Sequence, residues 1–301
     1  MMDQKAIVFK SKRKYASNLR QMAFGGDAEG EILVEESIFD AKGNLTEFRK
    51  WEDGGCETNR YTYDENGRVL LHELELEPDG AYEKWVFERD DQGRVLKETR
   101  FYGDDEGERM EYVYDQQDTP VSIKRYDSDG ELESVETFEY NVEGDLINHR
   151  RTDATGNIQE RSEITYQRQG KPASKSVFDP NGTVSSMEIF YDDLGRIVRA
   201  TERNSDGVLV SDIQTQYDER GNVLMRKIRD FNPRVLRFEY DDADRILTEE
   251  ILDGNGNLIM RNTMEYDDAG QLVSETEFWL DVGRGTSHKN SVSRFEYEFH
   301  D

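Results

Sequence analysis

Apolar and polar residues alternate along most of this chain, in segments of about 7–10 residues that end at short polar turns. Successive side chains of a strand point to opposite faces, so alternation over this length predicts half-solvated β-strands, and the segments are short for helices. The turns share a four-residue pattern with Asp first and Gly fourth, as in Asp64–Gly67 and Asp192–Gly195. This pattern favours a type I turn, and the chain is predicted to form antiparallel hairpins joined in series.

The turn pattern recurs in eighteen windows between Asp40 and Gly270, of which fourteen begin with Asp and fifteen end with Gly. Most windows are 11–14 residues apart. The interval of 24 residues between Asp40 and Asp64 is too long for one strand, and we expect a divergent turn at Glu52–Glu57. The meander of hairpins is therefore predicted to start near Glu31.

Every second turn follows an aromatic residue, which gives a repeat of about 26 residues with two strands. Eight of the nine equivalent positions are Tyr: Tyr63, Arg89, Tyr114, Tyr140, Tyr166, Tyr191, Tyr217, Tyr240 and Tyr266. The residue two places earlier is mostly apolar and lies on the same face. These two positions predict one aromatic stripe across all hairpins. Pro120 and Pro172 begin two of the returning strands and cannot donate to a ladder, so we expect these points to be edge-like or unpaired.

The number of predicted strands indicates a curled sheet. About twenty strands at ~4.8 Å spacing would form a ribbon of roughly 95 Å if flat, and sheets rarely exceed ~10 strands without curling. The predicted fold is all-β: a repetitive antiparallel β-hairpin meander that curls into a spiral or partial shell, with a β-propeller as the alternative. The predicted organisation is a basic N-terminal arm at 1–30, the hairpin-repeat array at 31–275, and a capping hairpin with a polar loop at 276–301.

The distribution of charge limits the partners of this chain. Its formal net charge is -27, with 39 basic and 66 acidic side chains, which repels nucleic acid and anionic membranes. Residues 1–25 carry six basic side chains against Asp3 alone. We expect this basic segment either to contact an acidic partner or the body of the protein, or to be a solvated tail.

Residue types that carry catalysis or hold metals are not grouped in the sequence. Cys56 is the only cysteine, and the spacing of the four histidines is unlike that of metal ligands: His72, His149, His288 and His300. We predict that the protein is not an enzyme and requires no cofactor or metal.

One turn superficially resembles the start of a calcium loop, at Asp253–Asn257. A loop of the EF-hand kind needs Gly at its sixth position and Glu at its twelfth, where this chain has Leu258 and Met264. The Asp side chains of the turns are therefore predicted to accept hydrogen bonds from turn amides instead.

The repeats resemble the YD-repeat, or Rhs-repeat, family. The resemblance covers about residues 31–275 and is carried by "YDENGRVL" at Tyr63, "YDDLGRIV" at Tyr191, "YDERGNVL" at Tyr217 and "YDDAGQLV" at Tyr266. It implies long antiparallel β strips that coil into shells or tubes, often in exported bacterial toxins, insecticidal toxin complexes or cell-surface adhesion proteins. The repeat here is longer than the usual unit and its strands are more charged.

The chain as written has no signal peptide and no apolar segment near the ~20 residues of a membrane helix, so it is predicted to be cytoplasmic. The resemblance to the YD-repeat family implies an extracellular or surface location instead.

The regular turn spacing breaks after the last clear repeat. We predict a polar, mildly basic loop at Gly283–Lys289, and loops that project from a regular scaffold often carry binding sites. The alternative is a capping hairpin that closes the last open edge. The candidate partner-binding residues are Trp279, Arg284, His288 and Lys289.

The function predicted from these features is a non-catalytic β-repeat scaffold that binds a protein partner with a basic surface, linked to a bacterial toxin or surface system. One alternative is a carbohydrate-binding or adhesive module that uses aromatic rings as stacking platforms. Another is an acidic immunity or decoy protein that occupies a basic site on a nuclease. Exposure of the tyrosine rings separates the first two hypotheses. The sequence leaves the oligomeric state open.

Overall fold

The computed structural model describes residues 8–18, 30–52, 54–168, 170–281 and 286–300. These residues form 22 β-strands and no helix. The strands are β1 Phe9–Asn18, β2 Ile32–Phe39, β3 Leu45–Glu52, β4 Gly55–Tyr63, β5 Val69–Glu77, β6 Ala81–Arg89, β7 Val95–Tyr102, β8 Asp105–Tyr114, β9 Pro120–Tyr126, β10 Leu132–Tyr140, β11 Leu146–Asp153, β12 Ile158–Arg168, β13 Lys171–Asp179, β14 Gly182–Tyr191, β15 Ile197–Asn204, β16 Leu209–Tyr217, β17 Val223–Arg229, β18 Arg234–Tyr240, β19 Ile246–Asp253, β20 Leu258–Tyr266, β21 Leu272–Asp281 and β22 Thr286–Phe299.

Every strand pairs antiparallel with the next one along the chain, which confirms the predicted all-β hairpin meander. The alternative of a propeller is wrong, because all the strands belong to one continuous sheet. The prediction of a spiral or partial shell stops short of what the structure shows. β1 pairs with β22 as well as with β2, so the sheet closes on itself.

The predicted boundaries do not coincide with the edges of the sheet. Part of the segment assigned to a basic arm, Phe9–Asn18, forms β1 and lies between the second and last strands. The meander therefore includes a strand that precedes Glu31. At the other end, the hairpin Leu272–Phe299 is continuous with the array, and its final strand pairs with β1 rather than ending in an open edge.

The closed sheet has no compact apolar core among the residues that the structure describes. Closed sheets of ~16 or more strands are too wide to be packed by their own side chains. In the described part of the chain no side chain is fully buried, and the most deeply buried apolar residues are Ile228, Leu252, Met260 and Phe295. The aromatic stripe is consequently half-buried on one face of the sheet and is not the centre of a compact core.

The Asp and Gly positions build the turns as predicted. In the turn from Asp40, the Gly43 amide donates to the Asp40 carbonyl at 3.0 Å, and Asp40 Oδ1 accepts the amides of Lys42 and Asn44. The glycine has a φ of 88°, in the left-handed region. Two turns place Asp there instead, Asp118 at 62° and Asp244 at 63°. Asp tolerates this conformation better than most residues, so the turn survives without glycine.

Each returning strand after an aromatic residue starts with a β-bulge. The register shifts between Thr62 and Tyr63, for example, so that Leu70 is the extra residue of β5. The divergent turn at Glu52–Glu57 is confirmed between β3 and β4. The expectation that Pro120 and Pro172 are unpaired is wrong. Each lies opposite a tyrosine in register. Pro120 is the first residue of β9, and Pro172 is the second residue of β13 beside a register shift, and proline is tolerated both at strand starts and at bulges.

Candidate functional site

The turns that follow the aromatic residues form one rim of the closed sheet, which we call the tyrosine rim. At this rim, each of nine tyrosine hydroxyls donates to a carbonyl of the first or second residue of the preceding strand. Tyr140 donates to the Pro120 carbonyl at 2.9 Å, and Tyr166 to the Leu146 carbonyl at 2.8 Å. The same bond, at 2.5–3.0 Å, is made by Tyr63, Tyr114, Tyr191, Tyr217, Tyr240, Tyr266 and Tyr297. The hydroxyls therefore tie each turn to the one before it.

Burial favours the protonated form of the Tyr140 and Tyr166 hydroxyls. It raises the pKa of Tyr140 and of Tyr166 above the ordinary value of a phenol, with nearby carboxylates adding to the effect. A protonated phenol is the state that donates to a carbonyl, so the bonds are stable throughout the neutral pH range.

Arg89 occupies the one position in the series where tyrosine is missing. Its Nη2 and Nε donate to the Val69 carbonyl at 2.9 and 3.3 Å, and its Nη1 donates to the Gly93 carbonyl at 3.0 Å. The guanidinium therefore reaches the same kind of acceptor as the phenol, the carbonyl that begins the preceding returning strand. The sequence shows the substitution but gives no sign that the bond is kept.

Cations from the turns cover the tyrosine rings. The guanidinium carbons of Arg94, Arg196 and Arg245 lie 5.0, 4.6 and 4.7 Å from the ring centres of Tyr114, Tyr217 and Tyr266. Lys171 lies over the Tyr191 ring in the same way at 5.4 Å. In these four turns, the basic residue that follows the turn's fourth residue, a glycine or Asp244, contacts the next tyrosine along the rim. Each such contact leaves less of the ring face free for a ligand.

A second aromatic group crosses four strands on the same face of the sheet. Tyr61, His72, Trp85 and Arg100 are partners in register on β4 to β7. The rings of Tyr61 and His72, and of His72 and Trp85, are stacked at 4.7 Å, and the Arg100 guanidinium lies 5.2 Å from the Trp85 ring. Both faces of Trp85 are therefore occupied by protein.

His72 is a neutral member of this stack. Its Nε2 lies 2.7 Å from Asn59 Oδ1, an acceptor, so Nε2 carries the proton. Burial lowers the pKa of His72 below its ordinary value. Each of these four residues is more than ten positions from the next in the sequence, and they meet because the strands pair in this register. The spacing of the residues in the sequence did not predict this contact.

Three of the four residues predicted to bind a partner lie on the neighbouring strands β21 and β22. Trp279 lies on β21, is 39% exposed, and donates from Nε1 to Glu277 Oε1 at 2.6 Å. His288 and Lys289 belong to strand β22, where their backbones pair with Trp279 and Phe278. The predicted polar loop is thus shorter than Gly283–Lys289. Arg284 lies outside the described residues.

The rim formed by the other set of turns, which we call the acidic rim, has a different charge pattern. Three consecutive hairpin tips, between β5 and β6, β7 and β8, and β9 and β10, present exposed carboxylates that make no ion pair with any residue the structure describes: Glu77, Asp79, Asp104, Asp105, Asp129 and Glu131. The tyrosine rim is also rich in acids, but its turns supply Arg or Lys beside them, as in the pairs Arg94–Asp90 and Arg245–Asp241, both at 2.6 Å. These six carboxylates on neighbouring tips of the acidic rim have no cation paired with them in the described structure, whereas several acids that cap turns on the tyrosine rim do.

Over the described ranges, no group of three or more His, Cys, Asp or Glu side chains converges as metal ligands would. Nor does that part of the chain contain a helix with the length and apolar character needed to cross a membrane.

Solved structures with similar folds include two toxin complexes and a porin-like protein. The TcdB2–TccC3–Cdc42 complex is 12% identical with a TM-score of 0.34, over 85% of this chain and 19% of that one. The Photorhabdus luminescens Tc holotoxin pore is 13% identical with a TM-score of 0.32, over 93% and 18%. A porin-like protein from Bacteroides uniformis is 11% identical with a TM-score of 0.33, over 96% of both chains. This chain therefore spans about a fifth of the length of the toxin chains.

Sequence comparison identifies the family. No curated protein matches this chain. The profile of the teneurin YD-shell family matches residues 9–159, which is half of the sequence. The match includes β1 and the first five tyrosine-rim turns, in agreement with the resemblance to YD repeats. The chain belongs to the teneurin YD-shell family.

Proposed function

We propose that this protein is a non-catalytic β-repeat scaffold that binds a basic protein partner at its acidic rim. The observation that carries the proposal is the contrast between the two rims. On the acidic rim, Asp79, Asp104, Asp105 and Asp129 are exposed at adjacent hairpin tips without a cation among the described residues. An exposed, unpaired carboxylate is available to an incoming Lys or Arg.

The acids that open several turns of the tyrosine rim are already paired with an arginine of the same turn. Asp192 shows the arrangement: its Oδ1 accepts the amides of Leu194 and Arg196, and its Oδ2 lies 2.7 Å from Arg196 Nε. These hydrogen bonds lower the pKa of the Asp192 carboxyl. A partner would have to compete with them, so the tyrosine rim is the poorer site for electrostatic recognition.

The net charge of the chain supports the same proposal at longer range. A formal charge of -27 steers a basic surface toward the protein and disfavours nucleic acid. Fields of exposed charges are screened beyond ~8 Å at physiological ionic strength. Binding to the acidic rim is therefore expected to weaken steeply with added salt.

Two alternatives carry less support. A carbohydrate module needs free aromatic faces, whereas Arg94 and Lys171 cover one face of Tyr114 and Tyr191. An acidic immunity or decoy protein would use the same rim and differs only in the identity of its basic partner. Membership of the YD-shell family supports a setting in an exported toxin or surface system, and with it an extracellular or surface location.

A pull-down with two matched variants tests the proposal. One variant neutralises the acidic rim (Asp79→Asn, Asp104→Asn, Asp105→Asn and Asp129→Asn). The control removes the same charge from the tyrosine rim, at exposed acids that cap no turn (Glu65→Gln, Asp91→Asn, Asp193→Asn and Asp242→Asn). We expect basic proteins to be recovered at low salt with the wild type and the control, and to be lost with the acidic-rim variant. Equal recovery with both variants, or glycan binding without any recovered protein, would overturn the proposal.

A further inference from the structure

β1 joins the sheet differently from the other strands. It pairs with β2, which follows after thirteen residues, and with β22 at the far end of the chain. All other consecutive strands are connected by two to five residues. A short turn keeps two strands together, while a longer connection holds its strand at a lower effective concentration. β1 can therefore leave the sheet without breaking any of the tight hairpins.

The gap that β1 fills is lined by carboxylates from both neighbours. Lys10 Nζ lies 2.7 Å from Glu298 Oε1 on β22, and Arg13 Nε lies 2.7 Å from Glu36 Oε1 on β2. The Glu36 side chain is only 11% exposed. Arg49 on β3 also approaches this carboxylate, with Nη1 3.6 Å from Glu36 Oε2, but Arg13 makes the shorter contact. A strand in this gap is therefore favoured by positive charge at the Arg13 position and disfavoured by negative charge there.

Aromatic rings on β22 contact side chains at other positions of β1. Lys12 Nζ and Lys14 Nζ lie 5.4 and 5.6 Å from the centre of the Phe295 ring. Near the start of β1, the Phe9 ring lies 5.2 Å from that of Phe299. Because strand side chains alternate between faces, these contacts favour a strand with an aromatic residue near its start, followed by basic residues on both faces. The gap thus recognises a side-chain pattern as well as backbone hydrogen bonds.

We propose that the gap between β2 and β22 is a binding site for an extended basic strand, and that β1 is its resident, exchangeable occupant. The ligand is an extended basic segment of a partner protein that replaces β1 by strand addition. This proposal does not depend on the acidic rim, since the site lies along the strands and its carboxylates are paired by β1 itself.

Strand exchange in the full chain tests the proposal. A protease site is inserted within residues 19–29, and the folded protein is cleaved there, so that β1 stays bound only by its contacts. A fluorescent synthetic peptide of residues 8–18 is the probe, and its uptake is followed by size exclusion and mass spectrometry of the released strand. We expect the labelled peptide to replace β1, and the peptide with Arg13→Glu to be taken up at least tenfold less.

Two further measurements fix the interpretation. Hydrogen exchange of the uncleaved chain must show the β1 amides opening before those of β3 to β21. A variant with Ala16→Cys and Ser293→Cys, which are opposite each other in register, in a Cys56→Ser background, must stop uptake when oxidised. The proposal is overturned if β1 is protected as strongly as the central strands, if both peptides enter equally, or if uptake fails although β1 opens. Exchange of β1 only between copies of the chain would overturn the assignment of a partner protein.

Discussion

The hydroxyl of Tyr140 on β10 donates to the carbonyl of Pro120 on the neighbouring strand β9 at 2.9 Å, and this bond recurs with the period of the repeat. Pro120 has no backbone N–H, but its carbonyl is free to accept. The same relationship joins Tyr191 to Pro172 at 3.0 Å. The two prolines that looked like interruptions in the sequence thus serve as ordinary acceptors of the tyrosine rim.

Removal of one rim hydroxyl is expected to destabilise its hairpin locally. Tyr140→Phe leaves the Pro120 carbonyl without its donor, at a cost of about 1 kcal/mol. Hydrogen exchange of β9 to β11 measures the effect, with Tyr102→Phe as the control, because the Tyr102 hydroxyl contacts only an exposed carboxylate, Glu108. Equal responses to the two substitutions would contradict a special role of the rim bond.

Arg89 is expected to be replaceable by the consensus residue of the rim. Arg89→Tyr restores a phenol that can reach the Val69 carbonyl, so the melting temperature should change little. Arg89→Ala removes the donor altogether, and we expect it to cost about 1–2 kcal/mol because a charged donor is lost. Thermal or chemical unfolding compares the two variants. A more damaging effect of Tyr than of Ala would show that the guanidinium has a separate role.

Gly195 is expected to tolerate few side chains. Its φ is 76°, and a Cβ there would lie 2.7 Å from Arg168 Nη2. Gly195→Val should destabilise the protein by about 1–3 kcal/mol, while Gly195→Asn should cost less because Asn adopts left-handed conformations more readily. Unfolding midpoints of the two variants check this order. The reverse order would mean that side-chain crowding, and not φ, decides the outcome.

The Asp212 carboxylate on β16 pairs with two arginines, Arg199 on β15 and Arg229 on β17. Its side chain is 4% exposed, and its carboxylate lies 2.8 Å from Arg199 Nε and 3.6 Å from Arg229 Nη1. Asp212→Asn should cost about 1–3 kcal/mol, since two cations lose their common partner. Glu88→Gln removes an exposed pair with Lys97 and should stay within about 0.5 kcal/mol. Similar unfolding free energies for the two variants would be inconsistent with this account.

Acid is expected to weaken the turns. Hydrogen bonds from Thr155 and Asn157 lower the pKa of Asp153 to about 2. A carboxyl with a depressed pKa in the folded state contributes stability above its unfolded pKa of ~3.9, and this contribution is lost as the pH falls toward 2. NMR titration of the Asp153 carboxyl, together with melting curves from pH 5 to 2, tests the prediction. The melting temperature of Asp153→Asn should fall less over this range than that of the wild type.

Removal of divalent cations is expected to leave folding unchanged. The Asp253 carboxylate is occupied by the amides of Asn255 and Asn257 and by the Asn257 side chain. These hydrogen bonds hold the turn without a bound cation. Melting with and without EDTA checks the point, and a clear fall in the midpoint with EDTA would show that a cation supports the turns.

The strands, the turns and their repeat could be predicted from the amino-acid sequence alone. Alternation has a period of two, and the Asp and Gly of a turn such as Asp192–Gly195 act through bonds and backbone angles within five residues, so these features can be read locally. The tyrosine stripe was also visible, because Tyr114 and Tyr140 recur at a constant spacing.

Closure of the sheet, the contacts between residues on different strands and the positions of unpaired charge depend on the three-dimensional arrangement of the whole chain. Closure depends on the pairing of Phe9–Asn18 with the last strand, almost a full chain length away, and local patterns carry no information about such a contact. The stack of His72 on Trp85 likewise depends on register between strands. A one-residue shift of register would turn every side chain of a strand to the other face, and that choice is made by the whole sheet.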